Sequence, residues 1–68
     1  MSELNINKKF GNKVKEYRKK HQISQDILAD LLCYTQSEIS KIENGKKDIT
    51  ISKFFYINSI LNLVEFNL

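Results

Sequence analysis

Gln36, Ser37, Ser40, Lys41 and Asn44 are spaced so that a helix would gather them on one side. At about 100° per residue, Ile39, Ile42 and Glu43 fall on the other side. The first side carries amides, hydroxyls and one ammonium, and no aliphatic chain or acid. Such groups pair with base edges and phosphates. A face that is merely solvated usually mixes acids with bases, and the nearest acid, Glu38, is needed elsewhere as a cap. Other chemistry has little to work with. Cys33 and His21 are the single cysteine and the single histidine, so they form no internal disulfide and fall short of the roughly four ligands of a structural zinc site. No nucleophile–base pair and no glycine-rich phosphate loop stands out. An enzyme is therefore not expected, nor is a metal, a cofactor or a small-molecule ligand. Cys33 reads as a small residue in a turn, and His21 as a residue at a helix C-terminus.

The elements that must position this face follow from caps and periodicity. Thr35 with Glu38 matches the capping box Thr-x-x-Glu and starts a helix predicted over residues 36–44, which Asn44-Gly45 ends. The preceding helix is predicted over 25–32, capped by Ser24, with Asp26 in its first turn and Leu28, Ala29 and Leu32 on its buried side. Only Cys33, Tyr34 and Thr35 separate the two helices, so they must cross steeply. Phe10, Val14 and Tyr17 recur at helical spacing and predict a first helix over 8–20. Residues 1–7 read as an arm before a single domain spanning 8–68. A fourth helix is predicted over 51–61, capped by Thr50 and ended by Asn62, with room for one more short turn in 63–68. The fold class is all-α, with four to five short helices.

Composition agrees with a basic binding module. The 68 residues carry a net charge of +3 and are 41% hydrophobic. The charge is uneven: Lys8, Lys9, Lys13, Lys15, Arg18, Lys19 and Lys20 face one acid, Glu16, between positions 8 and 20. A basic surface of this kind suits a polyanion. No apolar run approaches the roughly 20 residues of a membrane span, so no membrane association is expected. The first residues lack a signal peptide's apolar segment, which points to a cytoplasmic protein.

The stretches Ile23-Ser24-Gln25-Asp26-Ile27-Leu28-Ala29-Asp30-Leu31-Leu32 and Thr35-Gln36-Ser37-Glu38-Ile39-Ser40-Lys41-Ile42-Glu43-Asn44-Gly45-Lys46 resemble the phage-repressor and Cro-like, or XRE, helix-turn-helix family. The likeness covers about residues 9–63. It implies a lambda-repressor-like domain that binds double-stranded DNA and regulates transcription. Gln25 would lie against a phosphate and Thr35 against the DNA backbone. Gln36, Ser37 and Lys41 would face bases, with Ser40 at the edge. Asn44, Lys46 and Lys47 would hold phosphates beyond the reading helix. Arg18 and Glu43 match a structural ion pair that joins the first and third helices. Three departures stand out: Cys33 replaces a common turn glycine, Ile49 a frequent proline, and Ile27 and Leu31 residues that are usually charged.

The fourth helix carries more apolar surface than one face holds. The surplus predicts a homodimer through Phe55, Ile60, Val64, Phe66 and Leu68. The rival function is a protein-interaction module, such as an antitoxin, that keeps the fold and binds a partner through helix 2 or helix 4. The Ile27 and Leu31 stripe is the feature that favours it.

Overall fold

A computed structural model describes residues 2–65, with side chains from Ile6 onward. Its elements are α1 (Ser2–Lys20), α2 (Gln25–Leu32), α3 (Gln36–Glu43) and α4 (Ile51–Leu61). Each predicted N-cap is in place. The side chains of Ser24, Thr35 and Thr50 accept from the backbone N–H of Ile27, Glu38 and Lys53, each at 3.1 Å. A Ser or Thr oxygen there satisfies a donor that the helix itself cannot. The capping box is complete, because the Glu38 carboxylate also accepts from the Thr35 N–H at 3.1 Å.

The core is assembled from one stripe of each helix. Phe10 and Val14 of α1 meet Leu28, Ala29 and Leu32 of α2, Ile39 and Ile42 of α3, and Ile57 and Leu61 of α4. Tyr17, Tyr34, Phe54 and Leu63 close over its edges. The close approach of α1 to α3 depends on Gly11. A Cβ at that position would stand 2.0 Å from the Ile42 carbonyl oxygen, so only a residue without a side chain lets the backbones come so near.

Two features differ from the sequence reading. First, α1 begins at Ser2 rather than near Lys8, so the stretch expected to be an arm is helical where it is described. Its apolar residues are too sparse to reveal a buried face, but Asn7 anchors it. The Asn7 amide donates to Asp48 Oδ1 at 2.9 Å and accepts from the Ile49 N–H at 3.1 Å. That second bond needs the residue at 49 to have an N–H, which proline lacks. Second, of the stretch given room for a further turn, residues 63–65 are not helical, and 66–68 lie outside the described residues. Asn62 adopts the expected left-handed conformation at φ 55°. Beyond it, the buried Asn58 side chain donates to the Val64 carbonyl at 2.9 Å and accepts from the Val64 N–H at 2.8 Å, so the chain after α4 is held by a side chain instead of continuing the helix.

The α2–α3 turn keeps its left-handed residue without glycine. Cys33 sits at φ 60° and ψ 38°, and the Tyr34 N–H reaches back to the Ala29 carbonyl at 2.8 Å. An L-residue in this conformation costs roughly 1–2 kcal/mol. The Cys33 side chain is exposed, so removing it sacrifices little packing. Cys33→Gly is therefore expected to stabilise the fold by about 1 kcal/mol, raising Tm by roughly 4–8 °C in a domain of this size. Thermal unfolding followed by circular dichroism checks this, and an unchanged or lower Tm would contradict it.

Candidate nucleic-acid interface

The helix that carries the polar face is fixed from behind and open in front. Ile39, Ile42 and Glu43 of α3 are buried. Gln36, Ser37, Lys41 and Asn44 are exposed, and Ser40 is half-buried at the margin. Had these groups packed into the interior they could not meet a ligand. Instead they form a continuous hydrogen-bonding strip with a single cation.

The ends of this strip are built by capping. Thr35 holds the N-terminus through the capping box, and the Thr35 N–H stabilises the Glu38 carboxylate so that its pKa lies below the usual carboxylate value. Nearby Lys47 adds to this, with its ammonium 3.7 Å from Glu38. At the other end the Asn44 side chain donates to the Ser40 carbonyl at 2.9 Å. Gly45 follows at φ 70°, and the Lys46 N–H closes on the Lys41 carbonyl at 2.9 Å. A Cβ on Gly45 would lie 2.9 Å from the Lys8 Cα, so the backbone of α1 passes directly against the end of α3. Lys46 is exposed, whereas Lys47 is half-buried and turned toward Glu38.

Behind the strip lies the expected ion pair. Arg18 Nε donates to Glu43 Oε2 at 2.7 Å and Nη2 donates to Oε1 at 3.0 Å, a two-pronged contact. The Glu43 side chain is 2% exposed and that of Arg18 is 16% exposed. Hydrogen bonding to Glu43 raises the Arg18 pKa above its ordinary value. A third Arg18 nitrogen reaches the Ile23 carbonyl at 3.4 Å, so the guanidinium ties α1, the α1–α2 loop and α3 together.

Gln25 is placed differently from a group aimed only outward. Its amide nitrogen donates to Glu43 Oε1 at 3.1 Å, and its amide oxygen accepts from the Gln36 amide nitrogen. Gln25 thus joins the buried pair to the first residue of α3. Sequence spacing places Gln25 near the head of α2 but carries no signal for this link, because it depends on how α2 and α3 cross. Gly11 and Asn7 were missed for the same reason.

Comparison with protein families returns a helix-turn-helix model that matches residues 14–67. The chain belongs to the XRE, lambda-repressor-like helix-turn-helix family. No curated protein matches it at a significant level. The XRE domain accounts for most of the chain, and its four helices and short α2–α3 turn are the architecture that the family implies. Membership makes this a DNA-binding helix-turn-helix regulator. Among the described residues of this XRE protein, no helix is long and apolar enough to cross a membrane.

Proposed function

We propose that this XRE protein is a sequence-specific repressor or restriction-modification controller. It binds as a homodimer and inserts α3 into the major groove. The supporting observation is the exposed side of α3, where Gln36, Ser37 and Lys41 project without an acid among them. Gln is suited to the N6 and N7 groups of adenine, and Lys to O6 and N7 of guanine. Ser40 stands at the edge of this base-facing strip, while Gln25, Thr35, Asn44 and Lys46 serve the sugar–phosphate chain, as does Lys47 once it leaves Glu38. Cytoplasmic location and the absence of a cofactor or small-molecule ligand are parts of the same proposal.

Selection of bound sequences from a random DNA library tests the reading. The expected product is a pair of inverted half-sites about 10 bp apart on one side of the duplex. Failure to enrich any sequence at moderate salt would remove it. Within an enriched site, Lys41→Ala is expected to cost ~1–3 kcal/mol of binding and to loosen one base position. An equal loss on every sequence assigns Lys41 to phosphate instead.

The dimer contact is proposed on α4. Phe55 and Ile60 lie about 140° apart around the helix axis, so they occupy separate flanks. Val64 is half-buried beside Asn58, while Phe66 and Leu68 lie outside the described residues. The Phe55 flank is favoured. It borders an apolar groove of about 390 Å³ lined also by Ile6, Phe10, Ile49, Ile51 and Phe54. In that groove Ile6 is 63% and Ile51 76% exposed. Apolar surface gathered in this way favours association with a second copy. Sedimentation equilibrium is expected to show a dimer at micromolar concentration and a monomer for Ile51→Glu; a wild-type monomer at high micromolar concentration would remove the dimer.

The second reading, a partner-binding module, is favoured by Ile27 and Leu31, which are 54% and 47% exposed on α2. It is separated from the first by the same library selection, since a module of that kind enriches no DNA.

A further inference from the structure

Hydrogen-bond direction is fixed along the path from the buried ion pair to the tip of α3. Glu43 Oε1 accepts from Arg18 and from the Gln25 amide nitrogen, and the Gln25 amide oxygen accepts from the Gln36 amide nitrogen. An ionised carboxylate can only accept. Gln25 must therefore turn its NH2 group inward, which leaves its oxygen facing α3. An amide oxygen also only accepts, so Gln36 must turn its own NH2 group toward Gln25. Arg18 holds the carboxylate in place with its two-pronged contact. No alternative amide orientation satisfies all three bonds.

The consequence lies at the edge that Gln36 offers to DNA. One of its two amide hydrogens is committed to Gln25. The second hydrogen and the amide oxygen remain as one donor beside one acceptor. Adenine presents the complementary pair in the major groove, the N7 acceptor and the N6 donor. Guanine presents two acceptors, N7 and O6, which ask for two donors from the reading group. Resting on the major-groove reading above, we infer that Glu43 is a specificity-determining positioning residue: by dictating the amide orientations of Gln25 and then Gln36, it makes the first base contact of α3 select adenine over guanine. Glu43 touches no base. Its influence passes through two amides.

The test compares binding to duplexes that carry adenine or guanine at the position where Gln36→Ala abolishes base preference. Wild type is expected to favour adenine about tenfold or more, the discrimination typical of a good bidentate contact. Gln25→Leu keeps the Arg18–Glu43 pair and cuts the path. It is expected to bring the adenine-to-guanine ratio within about threefold, whatever it does to overall affinity. Glu43→Gln offers a donor as well as an acceptor and is expected to narrow the ratio in the same way, with circular dichroism confirming that it folds. A lost phosphate contact or a general loss of stability weakens both duplexes alike and leaves the ratio where it was. A ratio unchanged in Gln25→Leu, with Gln36→Ala still abolishing it, overturns the inference while leaving the major-groove reading intact. A wild type that enriches no DNA at all removes both.

Discussion

Gly11→Ala is expected to destabilise the fold by about 3 kcal/mol, against the rule that alanine improves a helix. Helix propensity alone would favour the change by roughly 1 kcal/mol. Packing decides the sign. The added Cβ would lie 2.0 Å from the Ile42 carbonyl oxygen, 3.1 Å from its carbon and 3.2 Å from the Glu43 carbonyl carbon. All three are main-chain atoms, so no flexible side chain can swing aside. Relief requires α1 and α3 to separate, and that pulls on the Arg18–Glu43 contact and on the core stripe of Phe10, Val14, Ile39 and Ile42. A domain of 68 residues is expected to have only roughly 3–10 kcal/mol in total, on the usual scale per residue. Urea denaturation should show most of that gone. A midpoint equal to or above that of the wild type would show that the helices part without cost.

Arg18→Ala is expected to be comparably damaging, at about 3–5 kcal/mol. The reason is the partner left behind rather than the bond lost. Glu43 is 2% exposed; without the guanidinium its negative charge stays buried with Gln25 as its remaining side-chain donor. An exposed ion pair would contribute only about 0–1 kcal/mol, so the size of the loss separates the two situations. Replacing both members by apolar residues, Arg18→Met with Glu43→Leu, is expected to restore much of the stability, because no uncompensated charge remains. Equal losses in the single and double variants would show that the pair acts through packing alone. By the inference above, the double variant also lacks the group that orients Gln36, so recovered folding and relaxed base preference are expected together.

Much of this molecule was legible in its sequence because local rules governed it. The caps at Ser24, Thr35 and Thr50, the stop at Asn62 and the limits of α2 and α4 each depend on residues within a few positions of one another. The two-sided character of α3 follows from helical geometry alone, and the family likeness supplied the pairing of Arg18 with Glu43. What escaped depends on distances in space between residues far apart in the chain. Gly11 has no local signature that distinguishes a close helix crossing from a tolerated flaw. Asn7 looked like part of a polar arm because its partners, Asp48 and Ile49, come some forty residues later. The expected arm thus gave way to helix from Ser2, and the stretch directly after Asn62 is held by the Asn58–Val64 contact. Gln25 was assigned an outward duty from its place at the head of α2. Its bonds to Glu43 and Gln36 become visible only once the crossing of α2 and α3 is known.

The bond between Asn7 and the Ile49 N–H spans 42 positions. A ring at position 49 would stiffen the connection locally, whereas an N–H lets a distant amide grip it; the same nitrogen cannot do both. In choosing the grip, this chain makes the course of its α3–α4 connection conditional on the opening turns of α1. A substitution that removes the Asn7 amide is thereby felt in the connection that also carries Lys46 and Lys47.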